Sequence, residues 1–431
     1  MAQASDALNV PHHWWHGVSR YQWMVLLIAS AGWVFDAFEG QLFNVTRADM
    51  LPAILGTGEP EAVKLWGERF LGIFLIGGTV GGWLFGSLAD RWGRRPVMIL
   101  TILFYSVFSG LMFFATELWQ VGVLRFLVAM GVAGEWAVGA ALVAEVFPQE
   151  SRARAAGIYH SSSVIGLWLA AVVGIVVGTD WRLAYLVGIV PALLVIWVRA
   201  GIREPEPWQQ ARMKRQGRLG SFSELLLDPF CRKRALLGAC LAMVGLATFW
   251  GVVIAGQDLA RELLLAQGHA SGEAATEAKF AYGFIQTLGA ALGMLSFGPL
   301  SVKLGRRGAF ALMHVGAIII TPAVCWLPQA YDSYPLLLCL LPVFGFFTLG
   351  MHSGYAVYFP ELFPTHLRAT GAGFCFNTGR ILAAPVLFWL SGGLKAAFAL
   401  STAISILSGF FLVGLLILVF LPETKGEELP D

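Results

Sequence analysis

Two stretches of this chain repeat each other, GSLADRWGRRPVMIL (86–100) and GPLSVKLGRRGAFAL (298–312). A second pair follows in the same order, AEVFPQESRARAAG (144–157) and PELFPTHLRATGAG (360–373). One matching loop is weak evidence, but two independent pairs at corresponding places indicate a chain built from two related halves. Such internal repeats are typical of transporters whose substrate site lies between two helical bundles.

The composition places most of the chain in a membrane. Of 431 residues, 57% are hydrophobic and only 13% are charged, whereas soluble domains carry about 25% charged residues. A membrane helix needs about 20 mostly apolar residues. Twelve segments qualify: 22–46, 66–89, 96–115, 118–147, 153–178, 182–201, 235–258, 278–303, 308–328, 334–362, 368–392 and 398–421.

The spacing of these segments predicts the domain organisation. A polar, basic stretch, 202–234, separates the first six spans (1–201) from the last six (235–431) and is the expected linker. Lys and Arg mark the cytoplasmic side of membrane proteins, and most of them fall in cytoplasmic segments if both chain ends are inside. We therefore expect an all-α protein of two six-helix bundles, oriented N-in and C-in. The five cysteines have no spacing typical of a metal or redox site.

The loops also resemble a known superfamily. The segment 86–96 reads G-x-L-A-D-R-x-G-R-R-P, which is similar to the signature loop of major facilitator transporters. E-x-F-P-x-x-x-R-x-R (145–154), REPEP (203–207) and LPETKG (421–426) resemble motifs of the sugar-porter and organic-ion branches. The resemblance covers essentially the whole chain. It implies two bundles related by pseudo-two-fold symmetry, alternating access, and a monomer without a cofactor.

Four ionisable residues in spans one and four are candidates for proton coupling, because a charge at bilayer depth costs about 2.5 kcal/mol or more. At a rise of about 1.5 Å per residue, Asp36 and Arg125 lie at similar depth. We expect them to form an ion pair that protonation of Asp36 would break; a static structural pair is the alternative. Glu39 and Glu135 complete the predicted proton-coupling group.

The run AGEWAVGAALVAE (133–145) resembles sialic acid permeases and fungal lactate permeases, which move carboxylates together with protons. Gln257 and Asp258 in span seven match a substrate-linked pair of the lactate permeases. Ile254 and Trp250 stand where those proteins carry His and Asn. The resemblance therefore implies a related acid rather than lactate.

Arg380 in span eleven is the strongest indicator of substrate class. It lies too far from the membrane surface to reach water and needs an anionic partner. Its planar guanidinium is suited to bidentate binding of a carboxylate; an ion pair with Glu361 or Asp258 is the alternative. The other predicted substrate-binding residues are Asn377, Gln257, Trp136, Tyr355 and His160.

The charged loop residues predict a conformational latch that pairs the two halves when the cytoplasmic side closes. Span two also carries Gly78, Gly82 and Gly86 at intervals of four, a pattern that permits close helix packing, here against span eleven. The predicted latch residues are Asp90, Arg94, Arg95, Glu145, Arg154, Glu361 and Arg368.

Together these features predict a multi-pass transporter of a bacterial plasma membrane, coupling proton symport to a small organic anion such as a carboxylate or acidic sugar. A facilitator or symporter of neutral sugars or polyols is one alternative, and a transporter-like nutrient sensor is another. No metal-ligand set, nucleophile–base arrangement or nucleotide-binding loop is recognisable, so we expect neither an enzyme nor an ATP-driven pump. The expected partners are substrate, proton and lipid, not nucleic acid.

Overall fold

A computed structural model describes residues 14–214 and 218–430, and these residues form helices and connecting turns without any strand. Twelve helices are long and apolar enough to cross a membrane. They are α1 Arg20–Leu55, α2 Pro60–Trp92, α3 Arg94–Phe114, α4 Leu118–Val146, α5 Gln149–Val177, α6 Trp181–Gly201, α7 Pro229–Ala266, α8 Ser271–Leu304, α9 Arg306–Ala330, α10 Tyr334–Leu362, α11 Thr365–Ala397 and α12 Leu400–Phe420.

The twelve predicted spans are confirmed, although several helices extend further than the apolar segments indicated. The helix α7 begins at Pro229, so the last residues of the predicted linker are helical and continue into span seven. The linker itself contains two short helices, Glu206–Lys214 and Phe222–Leu227. With twelve spans, the start of α1 and the end of α12 lie at the same face of the bundle, which we call the terminus face.

A repeated turn joins α2 to α3 at the terminus face. Gly93 has φ +112°, a conformation that favours glycine, and a Cβ at this position would lie 2.5 Å from Glu204. The Glu204 carboxylate accepts hydrogen bonds from the backbone N–H groups of Arg94 (2.8 Å) and Arg95 (2.9 Å). It thereby satisfies donors that are otherwise free at the start of a helix. Burial raises the pKa of Glu204, against the opposing effect of these hydrogen bonds.

The second half contains the same turn between α8 and α9. Gly305 has φ +82°, and Glu423 accepts hydrogen bonds from the backbone N–H groups of Arg306 (2.8 Å) and Arg307 (3.0 Å). The acids that close the two turns come from REPEP and LPETKG. These two motifs therefore have equivalent structural roles after spans six and twelve.

Two seams join the halves. In one, α2 packs along α11; in the other, α5 packs along α8, an arrangement that follows the internal repeat. The predicted packing of the α2 glycines against span eleven is confirmed, since a Cβ on Gly86 would lie 2.8 Å from the carbonyl oxygen of Ala369. Many large apolar side chains remain exposed on the outer surface, Ile175 at 80% and Val176 at 79% among them.

Candidate functional site

The terminus face is closed at the α2–α11 seam by an acid that caps a helix of the opposite half. Asp90 accepts hydrogen bonds from the backbone N–H (2.8 Å) and Oγ1 (2.6 Å) of Thr370, and from the N–H of Ala369 (3.2 Å). A carboxylate is favoured at this position because the first N–H groups of a helix carry partial positive charge. Arg94 balances the charge of Asp90 from within the first half, at 2.9 Å.

A buried ion-pair network lies beside this cap. Glu145 contacts Nη2 of Arg94 at 2.6 Å and Nη1 of Arg368 at 2.9 Å, and all three side chains are 0% exposed. Because Arg368 belongs to the second half, the network spans both halves. We call Asp90, Arg94, Glu145, Arg368 and Thr370 the gate network. Four of its members are predicted latch residues. Thr370 is not among them, because the latch was predicted from charged residues and threonine is uncharged.

Among the described residues, the remaining predicted latch residues form their hydrogen bonds and ion pairs within their own half. Glu361 pairs with Arg306 at 2.7 Å and also acts electrostatically on Arg152 of the first half. Arg95 donates to the carbonyl of Arg199 (2.5 Å), also in its own half. Arg154 donates only to the carbonyl of Glu150 at 3.4 Å. Val302 occupies the position of the second repeat that Asp90 occupies in the first, so the α5–α8 seam lacks an equivalent acid.

Gly220 of the linker bridges the two halves at the same seam, and we call this bridge the strap. Ser87 donates to the carbonyl of Gly220 at 2.6 Å, and the N–H of Gly220 donates to the carbonyl of His366 at 2.9 Å. Gly220 therefore contacts one residue from each half. It has φ +62°, and a Cβ there would lie 2.3 Å from the Ser87 carbonyl oxygen.

Two carboxyl groups face each other deep inside the first half. Asp36 of α1 and Glu135 of α4 are 1% and 2% exposed, and their carboxyl groups lie within hydrogen-bonding reach of each other. None of their four oxygens forms a hydrogen bond of good geometry among the described residues, although the Tyr105 hydroxyl of α3 lies within reach of Glu135. Glu135 reaches this position over Gly32, where a Cβ would lie 1.8 Å from its Oε1.

Arg380 of α11 brings a positive charge to this acidic pair from the other half. Asp36 is the acid that acts on it electrostatically. In the part of the chain that the structure describes, its buried Nη1 has no hydrogen-bond partner, and no ion pair joins it to Glu361 or Asp258. Its guanidinium carbon lies 5.1 Å from the centre of the Phe376 ring, within the range of a cation–π contact.

The expected ion pair between Asp36 and Arg125 does not form. Arg125 lies between the rings of Phe43 and Phe74, at 4.5 and 4.2 Å, and the acid that acts on it electrostatically is Glu39. Glu39 accepts a hydrogen bond from Ser109 of α3 at 2.7 Å. Glu39 and Arg125 thus form a neighbouring cluster inside the first bundle, and Glu39 still acts electrostatically on Asp36.

A continuous layer of rings lies next to the three charges, on the side of the terminus face. Trp136 stacks on Phe376 of the other half with centroids 4.3 Å apart, and its indole donates to Nδ1 of His160 at 3.3 Å. Tyr355 lies 5.9 Å from Phe376. We call Trp33, Trp136, His160, Phe376, Tyr355 and His352 the aromatic layer.

The other predicted binding residues lie at different places. Asn377 is fully buried and donates to the carbonyl of Gly373 in its own helix at 2.9 Å, while its Oδ1 lacks a described partner. Gln257 is partly buried and Asp258 is exposed. The basic groups that act on Asp258 are Lys395 and Arg261, not Arg380.

Phe376 could not be singled out from the sequence, since aromatic residues are frequent throughout the spans.

Comparison with known proteins agrees with this architecture. Residues 60–383 match the family model of the Major Facilitator Superfamily. The chain is 30% identical to a probable 4-methylmuconolactone transporter of Cupriavidus pinatubonensis, covering 96% of this chain and 93% of the relative. It is 28% identical to the sialic acid transporter NanX of Escherichia coli, over 87% and 88% of the two chains.

A solved structure shows the same fold. The proton:xylose symporter XylE superposes with a TM-score of 0.77 at 17% identity, covering 95% of this chain and 98% of that one. The chain therefore belongs to the major facilitator superfamily. It is a transporter and not an enzyme, and a multi-pass protein of the bacterial inner membrane.

Proposed function

We propose that this transporter carries a small organic anion, most simply a carboxylate, in symport with a proton, and that its terminus face is cytoplasmic. The observation that carries the proposal is the juxtaposition of Asp36, Glu135 and Arg380. All three charged groups contain buried polar atoms that lack a described protein partner. A buried charge without a partner is costly, so such groups are expected to serve ions that come and go.

The charges of the site suggest how the proton is coupled. Two carboxylates in contact cannot both be ionised at low cost, so we infer that Asp36 and Glu135 share one proton in the empty site. The pair then carries one negative charge and Arg380 one positive charge. An arriving anion disturbs this balance, and a second proton on the acidic pair restores it. Coupling of one proton to each monovalent anion follows.

The surroundings of Arg380 favour a carboxylate that carries a flat apolar group. The guanidinium offers parallel N–H donors that match a carboxylate in two-point contact. The Phe376 ring lies beside it and Trp136 stacks on Phe376, and aromatic rings of this kind stack on unsaturated groups. Two relatives named for organic acids, 4-methylmuconolactone and sialic acid, support the acid class.

Alternating access follows from the two sets of contacts between the halves. In the described state the gate network and the aromatic layer both close the route from the charged site to the terminus face. Release to that face requires Asp90 to leave the start of α11, Glu145 to separate from Arg368, and Trp136 to separate from Phe376. The site charge is balanced when anion and second proton are both present or both absent, which favours this transition in the fully loaded and the empty carrier.

The test is proton movement into proteoliposomes that contain a pH-sensitive dye. 4-Methylmuconolactone, sialic acid, benzoate, xylose and an organic cation are added in turn to the wild type. We expect the acids to drive proton influx and xylose to have no effect. Influx with xylose but with no acid contradicts the proposal and favours the neutral-sugar alternative.

Variants then identify the residues that bind the coupled proton and the anion. Asp36→Asn and Glu135→Gln are each expected to abolish acid-driven proton influx, and Arg380→Ala to abolish saturable acid uptake. Glu61→Gln, which neutralises an exposed acid in the first turn of α2, is the control for loss of a carboxylate. If Glu39→Gln abolishes the coupling while Asp36→Asn does not, the proton site belongs to the Glu39–Arg125 cluster instead.

A further inference from the structure

One face of α2 is complementary to the part of α11 that carries the candidate binding residues. A Cβ on Gly78 would lie 2.5 Å from Nη1 of Arg380, and a Cβ on Gly82 would lie 1.9 Å from Nδ2 of Asn377. Both distances are shorter than real side chains tolerate. The two side chains of α11 therefore occupy space that exists only because these positions of α2 are glycine.

Two hydrogen bonds fix the register of this contact. The Thr79 hydroxyl shares its one proton between the carbonyl oxygen of Asn377, at 3.2 Å, and that of Leu75 in its own helix, at 2.9 Å. Trp83 Nε1 donates to Oγ1 of Thr378 at 3.1 Å. Because both bonds join the two halves, the first half determines where residues 377–380 of α11 lie.

Packing sets the position of the Arg380 guanidinium. Its buried Nη1 has no hydrogen-bond partner among the described residues. On its own helix the group lies over the Phe376 ring at 5.1 Å, and on the other side it rests against the backbone at Gly78. Contact with the opposite half therefore restricts a side chain that is otherwise long and flexible.

We propose that Gly78 is a positioning residue for anion binding. From the opposite half of the transporter, it fixes the position of the Arg380 guanidinium. This proposal rests on the proposed function, in which Arg380 binds the substrate anion. The binding geometry is complete only while α2 and α11 are packed together. Opening that seam removes the support at Gly78, frees the guanidinium to move, and lowers the affinity for the anion at the face where it is released.

The test is Gly78→Ala, assayed by uptake of 4-methylmuconolactone and sialic acid. The added methyl group displaces the end of a flexible side chain rather than backbone, so the protein is expected to fold. Overpacking of a close contact costs enough to raise KM about fivefold or more, while Vmax stays within about twofold of wild type. Gly72→Ala is the matched control on the same helix, since a Cβ there meets nothing within 4 Å.

A double-variant cycle makes the result specific for Arg380. Lysine has no Nη1, so Gly78→Ala is expected to change KM less than about twofold in an Arg380→Lys background. This pair of variants also relieves the close contact if Gly78→Ala alone folds poorly. Equal effects of Gly78→Ala in both backgrounds would overturn the proposal.

Gly86→Ala separates positioning from general packing. Its Cβ would lie 2.8 Å from the Ala369 carbonyl oxygen, next to the gate network, so it is expected to favour opening of the seam. If Gly78→Ala opens the α2–α11 seam as much as Gly86→Ala does and leaves the KM for acid uptake unchanged, Gly78 is a packing residue only. Wild-type protein that transports neither acid refutes the proposed function itself, whereas acid transport with a normal KM in Gly78→Ala refutes the positioning role alone.

Discussion

Replacing Thr370 by valine tests the gate network with the smallest chemical change. The Thr370 hydroxyl donates to Asp90 of the opposite half at 2.6 Å, whereas valine has nearly the same shape and no donor. The two backbone N–H groups that also bind Asp90 remain. The substitution therefore removes one hydrogen bond that exists only while the terminus face is closed.

The size of the effect follows from the charge on Asp90. A hydrogen bond to a charged group contributes about 1.5–3 kcal/mol, and about 1.4 kcal/mol corresponds to a tenfold change in an equilibrium constant. Thr370→Val should therefore raise the ratio of terminus-open to terminus-closed molecules about 10- to 150-fold. Thr321→Val is the matched control, because its buried hydroxyl donates only to the carbonyl of Ala317 in the same helix, at 2.7 Å.

Spin-label distances measure this ratio. Trp92 and Leu304 occupy equivalent positions at the ends of α2 and α8 and are 56% and 51% exposed, so cysteines there report separation of the halves. Cys240 and Cys339 are replaced first, since they are the free cysteines that are not buried. A ratio that changes less than twofold in Thr370→Val, or equally in Thr321→Val, refutes the account of the gate.

Three further predictions concern the terminus face. Gly220→Ala places a methyl group 2.3 Å from the Ser87 carbonyl and is expected to displace the strap, raising the open fraction in the same spin-label assay; an unchanged fraction contradicts the strap. Glu361→Gln leaves Arg306 buried without its acid and should lower thermal stability by about 3 kcal/mol with the open fraction unchanged, as followed by thermal unfolding in detergent. Val302→Asp supplies the acid that the second repeat lacks and should slow turnover by stabilising the closed seam; equal or faster turnover contradicts this reasoning.

The sequence was sufficient to predict the spans, because apolar length defines a span. It was not sufficient to predict which charges meet. The rise per residue predicted that Asp36 lies level with Arg125, whereas its carboxyl group faces Glu135, about 15 Å further along α4. Glu39 lies one turn beyond Asp36 and about 60° further around the helix, which is enough to direct one carboxylate to Glu135 and the other to Ser109 and Arg125. The packing of the neighbouring helices sets that direction, and a single sequence does not report it.

The paired loops show a similar limit to what the sequence alone can predict. The shared Gly-Arg-Arg predicted equivalent loops, and the structure confirms equivalent turns capped by Glu204 and Glu423. Charge alone identifies latch candidates, however, and does not show that Glu361 forms its ion pair with Arg306 of its own half while it acts only electrostatically on Arg152 of the other half. Thr370 was not selected, because a hydroxyl acquires this role only from the acid placed opposite it.

The exchange of Asp90 for Val302 between the repeats gives the two seams different physical character. An ionic cap and the Glu145 network hold α2 against α11, and both depend on charges that separate when the halves move. Both seams also pack through backbone, since a Cβ on Gly86 would lie 2.8 Å from the Ala369 carbonyl oxygen and a Cβ on Gly298 would lie 2.7 Å from the Ala153 carbonyl oxygen. The α5–α8 side has its own charge interaction between the halves, in which Glu361 acts on Arg152 of α5. The ionic cap of Asp90 distinguishes the α2–α11 seam, which also carries Asn377 and Arg380 on the same helix. We infer that the α2–α11 seam opens first. The contacts of the gate network and the contact by which Gly78 positions Arg380 are then lost together.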